Sequence, residues 1–192
     1  MIVDIGVVNR PAEGETACGD SWTADVYDGG LLISVVDGLG HGPKAEEAAM
    51  AFTSVVRRNL RSPLSNLMHM AGQSLSGTRG AAAALLRFDA ENGHVEFCGV
   101  GNIAMHAISD VKMHPVSAPG IVGRPVRKLR PFEFDLPRTA LVALCSDGIS
   151  SRVDFNQFHH LESQAIADEI LAQYGKSYDD ATCVVLRYSE GD

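Results

Sequence analysis

The sequence predicts an α+β protein, with mostly antiparallel sheets and helices segregated onto their faces. Three observations predict it. Strand-like segments come in runs broken by two helices together and then one alone, without the regular strand–helix alternation of a doubly wound parallel sheet. Asp28-Gly29-Gly30 and Asn92-Gly93 are hairpin turn signals between strand-like runs, which antiparallel neighbours use. Small and apolar residues at helical spacing mark one buried face in the first helical segment. At 192 residues, 45% of them apolar and 21% charged, the chain is expected to be a single domain over 1–192 with a substantial core.

Ile2 to Val8 and Ser21 to Tyr27 read as strands, separated by a loop that carries Pro11, Gly14 and Gly19. Leu31 to Val36 is an apolar, β-branched run, and so a buried strand. It stops at Asp37, and Gly38, Gly40 and Gly42 follow within a short turn that tolerates backbone geometry other residues avoid. From Pro43 to Leu60, Ala45, Ala48, Ala49, Phe52, Val55 and Val56 recur at three- and four-residue spacing, one face of a helix. Ser62-Pro63 predicts an N-cap followed by proline in the first helical position, opening a second helix that runs to about Leu75.

Gly80 to Phe88, Val95 to Val100 and Asn102 to Ile108 are the next strands. Val111 to Arg130 is irregular, punctuated by Pro115, Pro119, Gly120, Gly123 and Pro125. Phe132 to Leu136 and Thr139 to Cys145 are expected to pair across Pro137-Arg138. A helix from Ser163 to Tyr174 is stopped by Gly175, and Ala181 to Tyr188 closes the chain as a strand.

The net charge of -8 leaves little basis for a nucleic-acid or anionic-membrane partner. The sequence has no apolar run of about 18 residues and no basic segment at its start, so neither a transmembrane helix nor a signal peptide is expected. Cys18, Cys98, Cys145 and Cys183 are far apart and form no C-x-x-C pair. Buried free thiols in a reducing cytoplasm are expected, rather than a zinc site or a disulfide framework.

Four acidic sites share one context, the edge of a strand beside a turn. Asp20 precedes a strand, Asp37 and Asp147 each follow one and precede a glycine, and Asp179-Asp180 precedes the last strand. Carboxylates gathered at one rim would repel, or take up protons, unless a cation stood among them. An all-oxygen set suits Mg²⁺ or Mn²⁺ better than zinc. Glycine after aspartate is read here as leaving its carbonyl free to approach the metal.

With those motifs assembled, the chain resembles the metal-dependent serine/threonine protein phosphatases of the type 2C (PPM) family. The resemblance rests on Gly19-Asp20, Val36-Asp37-Gly38-Leu39-Gly40-His41-Gly42, Gly80-Ala81-Ala82, Gly99-Val100-Gly101-Asn102, Cys145-Ser146-Asp147-Gly148 and Asp179-Asp180-Ala181-Thr182. It covers essentially the whole chain and is closest to the bacterial branch containing SpoIIE, RsbU and RsbX. With no recognisable regulatory domain, the chain is most similar to the stressosome phosphatases of that branch.

The resemblance implies a four-layer αββα sandwich and two divalent cations, Mn²⁺ or Mg²⁺. Asp37 would bridge them; Asp20 and the Gly38 carbonyl would complete one site, and Asp147 with Asp179 or Asp180 the other, Asp179 being preferred. Asp37 and Asp147 would thereby be catalytic, activating a water that attacks phosphorus in line. Ser146 and Ser150 would be structural. The implied partner is a phosphorylated STAS-domain stressosome protein, acted on by a cytoplasmic monomer.

The chain also departs from the family pattern. Leu39 stands where larger members have a histidine, which makes His41 the candidate acid for the leaving alcohol. Thr16 replaces their phosphate-holding arginine, with Arg10 further upstream. Asn102 stands where some members have a third-metal aspartate, and an amide is a poor ligand for a hard cation. The basic loop Arg124 to Arg130 is the candidate docking surface for a phosphoprotein. A catalytically silent, phosphatase-like docking module is the competing reading, and the full acidic set counts against it. A nucleotide hydrolase would want a glycine-rich loop with lysine, which is not present.

Overall fold

The computed structural model describes residues 2–89, 92–126, 129–135 and 139–189. Their strands form two sheets. In one, β1 (Ile2–Arg10), β9 (Ala181–Ser189), β8 (Thr139–Cys145) and β6 (Ala104–Ile108) lie side by side in that order. The other runs β2 (Asp20–Tyr27), β3 (Gly30–Gly38), β4 (Ala81–Asp89), β5 (His94–Val100) and β7 (Phe132–Asp135). Neighbouring strands within both sheets are antiparallel. The helices α1 (Pro43–Arg58) and α2 (Leu64–Ser74) cover the second sheet, and α3 (Ser163–Tyr174) covers the first. The expected αββα sandwich is therefore the observed one.

Side-chain alternation builds the layers. In β3, Leu31, Ile33 and Val35 point into the space between the sheets, among Val142, Leu144, Val184 and Leu186. Leu32 and Val36 point the other way, onto Ala48, Phe52 and Leu67 of the helices. A strand covered on both faces reads as an unbroken apolar run, as this one does. On the far side Ile166, Ala167 and Ile170 of α3 pack on Ala143, Cys183 and Val185.

Three expectations are corrected. Phe132–Asp135 and Thr139–Cys145 do not pair: β7 lies beside β5, whereas β8 sits between β6 and β9 in the other sheet. The largely exposed β7 suits a sheet edge, and the fully apolar β8 needs neighbours on both sides. The expected turn, Pro137-Arg138, and Leu136, the expected end of the strand before it, lie outside the described residues. Pro63 occupies the N-cap of α2 rather than its first turn, and no side chain caps that helix. The Ser62 carbonyl instead accepts a 2.5 Å hydrogen bond from the Arg87 guanidinium. Cys98, Cys145 and Cys183 are buried free thiols as expected, but Cys18 is only half-buried.

The first turn of α3 is capped from a distant strand. Glu162 at its N-cap makes no side-chain cap, while Asp4 Oδ2 in β1 accepts from the Ser163 amide at 3.1 Å. The Ser163 bonds hold the Asp4 carboxyl below its ordinary value of 3.8. Because the folded value is the lower one, this stabilisation is present above about pH 3.8 and is lost as the pH falls through the folded value. Asp4→Ala is expected to cost about 1 kcal/mol at neutral pH. Urea titrations should show the difference from wild type shrinking below pH 4; a difference independent of pH would mean the carboxylate is not the cap.

Candidate active site

The end of β3 and the start of β2 meet at one rim, where Asp20 and Asp37 are direct cross-strand partners. Such partners share a face of the sheet, so both carboxylates project on the same side. The other sheet brings its own acids to this rim. Asp147 follows β8, Asp179 and Asp180 precede β9, and Ser146 Oγ donates to Asp20 Oδ2 at 2.6 Å across the two sheets. Ser146 is itself held by the Thr182 amide, which donates to its Oγ at 2.9 Å. This role as a buried spacer agrees with the structural part expected of Ser146.

Each of these acids feels the charge of its neighbours. Burial pushes the Asp37 carboxyl up to about 8, reinforced by the charges of Asp20, Asp147, Asp179 and Asp180. Burial likewise lifts Asp20 to about 7, against the pull of hydrogen bonds from Ser146 and Thr182. Asp179 is raised by burial and by Asp147. Among the described residues, no group of three or more Asp, Glu, His or Cys side chains stands in a ready metal-ligating arrangement. The acids are neighbours that repel rather than a closed cage. One atom shows what the rim lacks: Asp20 Oδ1 is buried without a hydrogen-bond partner. A buried carboxylate oxygen with no donor is costly, and a hard cation would satisfy it. The donor set therefore fits a divalent metal.

The acidic pair divides its labour. Asp180 is buried and both its oxygens are taken, Oδ1 by the Ala12 amide and Oδ2 by the Gly19 amide, each at 2.9 Å. It staples the loop ahead of β2 onto the start of β9. Asp179 is half-buried, and among the described residues its side chain accepts one hydrogen bond, from the Asp180 amide at 3.0 Å. The glycines that follow Asp37 and Asp147 also have a packing reason. A Cβ on Gly38 would lie 2.2 Å from the Ala45 carbonyl of α1, and one on Gly148 would lie 1.9 Å from the Asp180 carbonyl. Close backbone packing demands glycine at both positions, whether or not a carbonyl reaches a metal.

Further polar residues stand at the rim, of which Lys176 and Glu15 carried no signal in the sequence. Asn102 Nδ2 donates to Asp147 Oδ2 at 2.7 Å, so the amide orients a carboxylate. Lys176 Nζ donates to the Asp147 carbonyl at 2.5 Å, and Arg10 reaches the carbonyls of Lys176 and Asp179 at 2.6 and 3.1 Å. His41 is 66% exposed, and its Nδ1 donates to Glu15 Oε1 at 2.7 Å, leaving Nε2 toward solvent. A histidine offers no spacing rule that names its partner, so Glu15 was not foreseeable. In the basic loop, Arg124 and Arg130 are exposed and Arg124 donates to the Thr78 carbonyl at 3.3 Å. Arg127 and Lys128 lie outside the described residues. A groove of about 820 Å³ between α2 and residues 122–126 with Leu129 includes Arg124 but none of the rim carboxylates. It is no candidate for the chemistry, which needs them.

Comparison with known proteins places this arrangement. The family model for stage II sporulation protein E (SpoIIE) matches residues 27–189. The phosphoserine phosphatase RsbX of Bacillus subtilis (strain 168) is 26% identical over 140 residues, 72% of this chain and 70% of RsbX. A solved chain from work on the bacterial stressosome, described as a modular system adapted to control secondary messenger signalling, is 31% identical. It superposes with a TM-score of 0.93 over 97% of this chain and 100% of its own. RsbX in complex with magnesium is 24% identical, with a TM-score of 0.88 over 97% of this chain and 96% of that one. The chain belongs to the SpoIIE family, within the PP2C-type protein phosphatase hydrolases.

Proposed function

We propose that residues 1–192 act as one catalytic domain, a divalent-cation-dependent phosphatase for phosphoserine and phosphothreonine on stressosome STAS-domain proteins. The observation that supports this reading is the rim, where Asp20 and Asp37 are cross-strand partners, Asp37 feels the charges of Asp147 and Asp179, and a buried Asp20 oxygen has no hydrogen-bond donor. The relatives supply the substrate class: RsbX is a phosphoserine phosphatase, and a stressosome chain is 31% identical. Asp37 would serve two ions, Mg²⁺ or Mn²⁺; Asp20 and the Gly38 carbonyl would complete one site, and Asp147 and Asp179 the other. Asp180, with both oxygens bonded to amides, fits a support rather than a ligand. When bound, the ions would neutralise the phosphoryl charge and lower the pKa of a water.

The chain's own residues then have defined tasks. Ser146 and Asn102 hold Asp20 and Asp147 in their rotamers, and Lys176 holds the Asp147 backbone. His41, steadied by Glu15, would give a proton to the leaving serine oxygen from Nε2. The reading is tested by incubating a phosphorylated STAS-domain protein with the metal-free chain, then restoring Mn²⁺ or Mg²⁺. Phosphate release should appear only with metal. Release that survives exhaustive chelation would sink the metal reading, and none under any metal would favour a silent docking module.

The acid role of His41 separates two substrates. His41→Ala is expected to slow a phosphoserine substrate by roughly a hundredfold, because a serine alkoxide needs a proton to leave. An aryl phosphate, whose phenolate leaves readily, should lose less than about threefold. Equal losses on both would assign His41 to the loop's structure.

Docking is assigned to the basic loop at Arg124–Arg130, whose positive charge suits a phosphorylated, acidic partner. Charge reversal at Arg124 and Arg130 should cut kcat/KM for the phosphoprotein and weaken its salt dependence, while sparing an aryl phosphate. Unchanged turnover of both would place docking elsewhere.

A further inference from the structure

Arg79 is exposed and has neither an ion-pair nor a hydrogen-bond partner for its side chain among the described residues. It is nevertheless held close to the acidic rim. Its Nη1 lies over Gly40, where an added Cβ would stand 2.5 Å from that nitrogen. The backbone beneath is fixed on both sides. Leu39 donates to the Gly80 carbonyl at 3.0 Å, Gly80 donates to Thr78 Oγ1 at 3.0 Å, and Ala81 is the cross-strand partner of Gly38. The guanidinium thus rests on the Asp37–Gly42 turn, beside the carboxylates but paired with none of them.

A phosphate monoester arriving at that rim carries more negative charge than its bridging chemistry consumes, and its outer oxygens need donors. Lys176 and Arg10 already give hydrogen bonds to backbone carbonyls of the rim. Arg79 alone among these three keeps all its donors open. A guanidinium presents paired N–H groups that match two phosphate oxygens, which an ammonium cannot do. The absence of a side chain at Gly40, where φ is +97°, leaves the space in which the guanidinium lies.

We propose that Arg79 is the residue of this chain that binds the outer oxygens of the substrate phosphoryl group. The proposal rests on the phosphatase reading, so its test includes a measurement that needs no turnover. With Mn²⁺ present, inorganic phosphate is titrated into wild type, Arg79→Met and Arg79→Lys by calorimetry, and KM and kcat are measured on a phosphoserine peptide and an aryl phosphate. Arg79→Met should weaken phosphate binding and raise KM on both substrates by roughly tenfold to a hundredfold. Its kcat should change by less than about threefold, and Arg79→Lys should fall between. Mn²⁺ affinity and thermal midpoint should match wild type, because the side chain is exposed. Wild-type phosphate affinity in Arg79→Met would overturn the proposal even if the phosphatase reading stood. Conversely, a wild type that hydrolyses nothing would sink that reading while the phosphate titration still judged Arg79.

Discussion

Asp37→Asn is expected to reduce metal-dependent hydrolysis to below about one thousandth of wild type while leaving the fold intact. The expectation follows from its place in the rim. It faces Asp20 across the β2–β3 pair and feels Asp147, Asp179 and Asp180 as well, so it is the carboxylate with the most acidic neighbours. On the proposed function one charge would serve two cations, and an amide, which is neutral and offers a single acceptor oxygen, could not replace it. Without metal the same change removes repulsion and burial cost. The metal-free variant should therefore melt at or above metal-free wild type, and the stabilisation wild type gains from Mn²⁺ should largely vanish. Thermal unfolding with and without Mn²⁺, beside a phosphate-release assay, checks both halves. Wild-type turnover in Asp37→Asn would end the two-metal assignment.

The second large effect separates two adjacent aspartates. Asp180→Ala is expected to destabilise the protein by about 2–4 kcal/mol, because two amides, of Ala12 and Gly19, lose their buried acceptor. For a domain of this size that is a fall of roughly 4–16 °C in melting midpoint. Asp179→Ala should leave the midpoint within about 2 °C, since its side chain accepts only from the neighbouring Asp180 amide. Its Mn²⁺ affinity and turnover should nevertheless collapse. The opposite pattern, with Asp180→Ala stable but unable to bind Mn²⁺, would exchange their roles.

That division shows where a sequence stops being readable. The Asp-Gly steps after apolar runs were legible because a carboxylate at the end of a buried strand demands a partner, and the apolar runs themselves marked the layers. Nothing in Asp179-Asp180 says which side chain turns inward, because that depends on amides more than 160 positions earlier, as in the Gly19–Asp180 bond with a separation of 161. Lys176 and Arg79 were invisible as rim residues for the same reason. Each reaches the site through a pairing or loop contact that no local periodicity encodes. The exchange of β7 and β8 between sheets was missed because a short connection normally implies a hairpin, and only the burial of each strand distinguishes edge from centre. Gly38 and Gly148 were noticed as glycines, but their reason lies in α1 and in the strand entry that press against them.

The pairing of β1 with β9 has a temporal consequence. Ile2 lies opposite Ser189 and Arg10 opposite Ala181, so β1 waits for β9, far along the chain, before it has a sheet neighbour. Asn9 reaches Thr182 and Ala12 reaches Asp180 across separations of 173 and 168. Closing such long loops is slow, and a nascent chain carries exposed strand edges until it does so. The second sheet, by contrast, is built from strands that follow one another closely from β2 to β5 and can assemble during synthesis. Half of the acidic rim would then exist on a partly made chain, while the other half arrives only with the closing strand. On the proposed function, the rim is thus complete only once β9 has docked.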